Sequence, residues 1–291
     1  MKVTRFGNPS LKSINPSRPI RVAFLTSVRD TGACDQNGRT IAYPDGERYM
    51  KGVIEAMVRA TFPGGSLYGV CEVVRVITDD HETDNLNGYP CQPTEGKPWI
   101  HPLDLCLPNG QTLASRTVNV PSLFRKLPLS DKEGRRLGKL EFERRILGLF
   151  HQAEADVLVS DHYMARIEHL ICSEMGLMGR VVNIHPAITL ADHKFCMRGP
   201  TPTADAIRKA RINGTTVTGA TLHFVNCVID DGPPIAVAEG TPVFPGDQPQ
   251  QLRDRNYRLA KAPLFLEGMQ HYATCIFPHL DQLDPNNLQE C

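Results

Sequence analysis

The feature that most limits what this chain can fold into is a series of short, largely apolar runs separated by segments of helical period. Residues 19–27 carry Val22, Ala23, Phe24 and Leu25 in succession, residues 71–77 read C-E-V-V-R-V-I, and residues 155–160 contain Val157, Leu158 and Val159. A fourth run, Val181-Val182, leads into Asn183-Ile184-His185-Pro186. Continuous apolar residues mark a strand covered on both faces. Between the first two runs, residues 45–60 place Met50, Val53, Ile54, Met57 and Val58 at helical spacing. Before the third, residues 130–152 place Leu137, Leu140, Phe142, Ile146, Leu149 and Phe150 in the same way, with Ser130 as N-cap and Glu133 completing a capping box. Arg135-Arg136 and Arg144-Arg145 fall on that helix's solvated face. Strand, helix, strand, helix, strand predicts an α/β fold: a doubly wound, mostly parallel sheet with helices on both faces and right-handed crossovers.

A chain of 291 residues suffices for one large domain of this kind. Residues 19–275 are read as that single domain, after a polar arm at 1–18 and before a tail at 276–291. Residues 79–120, rich in Asp, Asn, Pro and Gly, are an insertion. Lys plus Arg equals Asp plus Glu at 32 each. That balance gives no electrostatic case for nucleic acid or an anionic membrane. No apolar run approaches the ~20 residues of a membrane span, and the first residues lack an apolar signal core. The nine cysteines form no C-x-x-C pair and read as reduced thiols of a cytoplasmic protein. The sequence leaves the oligomeric state open, a monomer included.

Chemistry concentrates in N-I-H-P. Side chains two apart on a strand share a face, so Asn183 and His185 project together while Ile184 turns to the core. Pro186 then ends the ladder. Strand ends of this kind are where open α/β sheets bind ligands. An Asn or His after a strand is as readily a turn former, and two further segments carry the argument. Gly219–Phe224 reads as another strand, followed by Val225–Ile229 and the turn Asp230-Asp231-Gly232-Pro233-Pro234. Pro242-Val243-Phe244-Pro245-Gly246-Asp247 then opens a last helical segment. His185, His193 and Cys196 lie close enough in sequence to suggest zinc, but no fourth ligand is evident, and no metal is expected.

Strand, N-x-H-P, Arg198-Gly199-Pro200 loop, helix, strand, D-x-G-P and P-V-F-x-G-D in that order resemble the catalytic half of the 10-formyltetrahydrofolate-dependent formyltransferases, over roughly residues 155–270. The resemblance implies a Rossmann-like formyltransferase fold with 10-formyltetrahydrofolate as formyl donor. Asn183 and His185 would then aim N–H groups at the formyl oxygen, and Asp230 would hold the imidazole in its donating state and accept a proton. Asp231 follows directly, where relatives often have Gly, so either carboxylate could face the site. Folate contacts would come from Met164 and Ile167 after the strand at 155–160, and from Asn226, Cys227, Val228 and Ile229 before the D-x-G-P turn.

The acceptor is less constrained. Ser27–Gly32 lacks the clustered glycines that cradle phosphate in phosphoribosylglycinamide enzymes. Arg29 and Asp30 suit the carboxylate and ammonium of an amino acid instead, and Arg48 is a third candidate contact. Only about 40 residues follow Asp247, too few for the C-terminal barrel of methionyl-tRNA formyltransferases. The long N-terminal half, the lengthened loop after Asn183 and the short C-terminus resemble the hydroxyornithine transformylases of pyoverdine-type siderophore assembly. These imply formyl transfer to the hydroxylamino nitrogen of N-hydroxyornithine, with a small amino-acid-like acceptor and folate as partners. The alternatives are a phosphoribosylglycinamide or sugar-nucleotide formyltransferase, or a non-catalytic folate-binding protein on the same fold.

Overall fold

The computed structural model describes residues 2–6, 13–14, 16–27, 52–79, 105–163, 165–172, 174–199 and 201–282. Eight strands form one sheet in the order β1-β8-β7-β6-β5-β2-β3-β4. They are β1 (Lys2–Arg5), β2 (Ile20–Thr26), β3 (Cys71–Thr78), β4 (Thr117–Asn119), β5 (Val157–Ser160), β6 (Val181–His185), β7 (Thr216–Phe224) and β8 (Pro234–Val243). From β4 to β6 every pairing is parallel. From β6 through β7 and β8 to β1 every pairing is antiparallel. The helices are α1 (Val53–Ala60), α2 (Lys132–Gln152), α3 (Pro202–Asn213), α4 (Pro249–Asn256) and α5 (Ala262–His271), with a π-helical segment, Tyr257–Lys261, joining the last two.

Strand β2 shows why the apolar runs are unbroken. Val22 and Phe24 face a core shared with Val53, Ile54 and Met57 of α1 and Leu264 and Phe265 of α5. Ala23 and Leu25 face the opposite core, built on Phe142, Ile146 and Phe150 of α2. Both faces are covered, so neither parity of residue is polar. Among the described residues no helix is long and apolar enough to cross a membrane.

Local expectations shift in four places. Residues 2–5 of the expected arm are an edge strand, held to β8 by main-chain pairing with largely exposed side chains. The N-cap of α2 is Asp131, whose carboxylate accepts the Gly134 N–H at 2.9 Å, rather than Ser130. Leu137 is exposed, and Arg135 is not a free surface cation: it donates to the carbonyls of Phe124, Arg125 and Leu127 and so clamps the preceding turn. Of the helix expected over 45–60, the described part is Val53–Ala60. Of the expected insertion, residues 105–120 include a short 3-10 turn and β4, which extends the sheet beyond β3.

Candidate active site

The two strands at the parallel-to-antiparallel change supply the polar side chains. In the register of β6 with β7, Asn183 lies opposite His223 and His185 opposite Thr221. Cross-strand partners share a face, so these four residues stand together. Val182, Ile184, Leu222 and Phe224 take the other face and enter the core.

After β7 the chain turns back over this face. Gly232 is required there: a Cβ would stand 1.7 Å from the Phe224 carbonyl oxygen. Asp230 adopts a left-handed backbone with φ 57°, a conformation that Asp tolerates better than most residues. The turn brings its Oδ1 to 3.2 Å from His185 Nδ1, while its Oδ2 accepts the Gly199 N–H at 2.9 Å. The Arg-Gly-Pro loop is thereby docked on the same carboxylate. Asp231 pairs with Arg198 instead, so Asp230 is the aspartate against the imidazole. Burial pushes the Asp230 carboxyl up, but His185 and the Gly199 N–H outweigh it and hold it below the usual range.

His185 is 5% exposed, and its Nε2 has no hydrogen-bond partner. Nδ1 is turned to Asp230, and His185 lines a cavity of about 470 Å³ together with Asn183 and Asp230. An orphaned buried nitrogen calls for an explanation; a ligand oxygen supplies one.

His223 is a member of the site that the sequence reading missed. Its Nδ1–H donates to the Phe224 carbonyl at 2.7 Å, leaving Nε2 to accept from Asn183 Nδ2 at 3.1 Å. Burial, together with the neighbouring His185, pushes its pKa down to about 4, so the ring is neutral and this tautomer is fixed. The other Asn183 amide proton meets Asp230 Oδ1 at a long 3.4 Å. A ligand oxygen can therefore recruit the amide by replacing that weak contact. The signal for His223 lay in strand pairing: G-A-T-L-H-F gives it no role until the antiparallel register with N-I-H is known.

The expected folate contacts divide. Ile167, Asn226, Val228 and Ile229 line the cavity, and the exposed Val228 and Ile229 offer apolar surface at its rim. Cys227 does not line it; its carbonyl accepts from Arg166. Cys227 is also disulfide-bonded, unlike the uniformly reduced thiols expected. Met164, Arg29, Asp30 and Arg48 lie outside the described residues. The loop carrying Ile167 is held from below by Glu143, whose buried carboxylate accepts the N–H groups of Glu168, His169 and Leu170. Among the described residues no group of three or more metal ligands is assembled, and His193 pairs with Glu239.

The family described as Formyl transferase matches residues 125–266. The solved structure of PvdF of pyoverdin biosynthesis, an N10-formyltetrahydrofolate-dependent formyltransferase, aligns with a TM-score of 0.71 at 30% identity, covering 87% of this chain and 99% of that one. A phosphoribosylglycinamide formyltransferase of Mycobacterium tuberculosis is 32% identical over 102 residues, 35% of this chain and 42% of the relative. The Bacillus subtilis enzyme is 31% identical over 98 residues, 34% of this chain and 45% of the relative. The chain thus spans less than half the length of these curated relatives. Glycinamide ribonucleotide transformylase 1 of Symbiobacterium toebii shares the fold, with a TM-score of 0.54 at 18% identity over 91% of this chain and 92% of that one.

Proposed function

Because the chain belongs to the formyltransferase family, we propose that it carries a formyl group from 10-formyltetrahydrofolate to the hydroxylamino nitrogen of N-hydroxyornithine, in the cytoplasm and without a metal, as a step in making a hydroxamate iron ligand. The observation that carries the transfer chemistry is the buried, unpartnered His185 Nε2 beside the Asn183 amide. A cavity of about 470 Å³ with an apolar rim and a few convergent polar groups suits a folate arm and a small acceptor.

When bound, the folate supplies an activated formyl carbon. Asn183 and His185 direct their N–H groups at the formyl oxygen, where negative charge develops as the acceptor nitrogen attacks. His185 does so from Nε2, with Nδ1 held by Asp230. His223 fixes which way the Asn183 amide faces. Asp230 takes the proton that the attacking nitrogen must lose, directly or through one water, and returns it to N10 of the folate as the formyl carbon–N10 bond breaks and tetrahydrofolate leaves. A hydroxylamine is less basic than an alkylamine, because its oxygen withdraws electrons, so it arrives largely uncharged near neutral pH. Positioning and oxyanion stabilisation then carry more of the barrier than base catalysis.

The hydroxyornithine reading is supported by PvdF, which this chain matches along nearly its whole length. The family match begins at residue 125 and leaves out the strands and loops before it. The curated phosphoribosylglycinamide relatives favour a second reading in which that nucleotide is the acceptor. A single assay separates them: tetrahydrofolate release from 10-formyltetrahydrofolate with N-hydroxyornithine, ornithine, phosphoribosylglycinamide and an amino-sugar nucleotide offered in parallel. Release with N-hydroxyornithine alone is the expected result. Release with the phosphoribosyl or sugar substrate overturns the acceptor, and folate binding without turnover overturns the enzyme.

A further inference from the structure

The cavity has a second polar pole that the formyl-transfer chemistry does not use. The sheet grows outward from β2 to β3 and β4 on one side and from β5 to β6 on the other. The crevice at the carboxyl ends of β2 and β5 is therefore the topological switch point, where open α/β sheets bind ligands. Asp161 follows β5 there and is fully buried. Its Oδ2 accepts the N–H of Val53, the first residue of α1, at 2.7 Å, and its Oδ1 accepts from Lys261 Nζ at 2.7 Å. Lys261 Nζ also stands 3.1 Å from His162 Nε2.

This cluster is costly to build. Lys261 is 3% exposed and ends the π-helical segment; such segments recur at functional sites. His162 is held at φ 58°, a strained setting for a residue with a side chain. A buried ion pair is a weak source of stability, so stability alone does not explain it. Lys261 and His162 line the same cavity as Asn183 and His185. Ser160, the residue before Asp161, is the sheet neighbour of Asn183, and adjacent strands lie about 4.8 Å apart. The two poles are thus within the span of one small molecule.

We propose that Lys261, oriented by Asp161 and His162, binds the carboxylate of the acceptor and is the residue by which the enzyme distinguishes an amino acid from a diamine of the same length. The proposal rests on the amino-acid reading given above. An ammonium has three protons, and Asp161 and His162 engage two of them; the third serves the ligand. Asp161 already neutralises Lys261, so a zwitterionic amino acid enters without leaving net charge in the pocket.

The test compares N-hydroxyornithine with its decarboxylated counterpart, N-hydroxy-1,4-diaminobutane, in the wild type, in Lys261→Met and in the double variant Asp161→Asn/Lys261→Met. The double variant removes both charges and so leaves no unpaired buried ion. The wild type should prefer the carboxylated acceptor by on the order of 10- to 100-fold in kcat/KM, chiefly through KM. That preference should fall toward unity in the folded double variant. Retention of the wild-type preference, or its absence from the wild type, overturns the proposal. Calorimetric titration of ornithine against 1,4-diaminobutane separates this from the acceptor assignment. If no acceptor is turned over, carboxylate-dependent binding of ornithine that the double variant loses still supports the Lys261 site while the function assigned above fails. Equal or absent binding of ornithine in both proteins overturns the site.

Discussion

Lowering the pH toward 5 should destabilise this protein through His223 before its paired carboxylates come into play. The ring is fully enclosed, and burial moves its pKa from 6.5 to about 4. Between those values the unfolded chain binds a proton that the folded protein refuses, so stability rises with pH across this window and falls as pH falls. With 6.5 for the unfolded chain and about 4 for the fold, going from pH 7 to pH 5 removes about 2 kcal/mol, and the full loss approaches 3 kcal/mol at lower pH. Asp230, held below 3.8 by His185 and Gly199 against the opposing effect of burial, contributes only further down, its stabilisation being lost as pH drops through its lowered pKa. The assay is urea unfolding of the wild type and of His223→Gln at half-unit steps between pH 7 and 5. Glutamine has no proton to take up, and its carbonyl can still accept from Asn183. The two stability curves should converge by about 2 kcal/mol as the pH falls. Parallel curves would refute the reasoning, because they would mean that His223 titrates alike in the folded and unfolded chain.

The other expectations are direct. Replacing His185 by Ala should lower turnover by about 10²- to 10³-fold, the loss typical of removing one oxyanion donor, while folate binding, read by fluorescence titration, changes little; near-normal kcat would remove His185 from the chemistry. Asp230→Asn should cut kcat severely, whereas Asp231→Asn loses only a half-exposed pairing with Arg198 and should stay within a few-fold of wild type. Glu143→Leu strands three N–H groups beneath the Ile167 loop. It should cost about 3 kcal/mol in unfolding free energy and raise the Kd for tetrahydrofolate; unchanged folate affinity would mean the loop is held by other contacts.

The sequence revealed whatever burial imposes on residue type. The residues at 22–25 and 157–159 are unbroken apolar runs because α1 and α5 cover one face of the sheet and α2 the other. Alternation along a strand was enough to place Asn183 and His185 together. What stayed hidden depended on register or on contacts distant in sequence. Strand β1 is polar and exposed, and its pairing with β8 uses only main-chain groups that any sequence carries. His223 becomes meaningful only opposite Asn183. Lys261 lies in a π-helical segment, where the 3.6-residue period lapses, so nothing in its spacing marks it as buried. The choice between Asp230 and Asp231 turned on which of them reaches the imidazole and which meets Arg198.

The site lies at β6 for a reason that follows from the change in strand direction. Its parallel neighbour β5 ends beside Asn183 and delivers His162 to the same cavity, with Asp161 buried behind it. Its antiparallel neighbour β7 runs the other way, setting Thr221 and His223 opposite His185 and Asn183. Thr221 uses its hydroxyl to accept the Thr189 N–H and to donate to the Ala187 carbonyl, which fixes the chain just beyond Pro186. Asn256 ties the Pro186 carbonyl to that of Gly219. The imidazole is therefore fixed from both sides and from the turn above, without a metal ligand among the contacts. Because the side-chain period of a strand is two, inserting one residue between Val181 and Asn183 would turn Asn183 and His185 into the core and Ile184 toward the cavity. Such an insertion should abolish both turnover and cooperative unfolding, whereas one in the exposed turn before Pro202 should slow turnover and leave the unfolding transition cooperative.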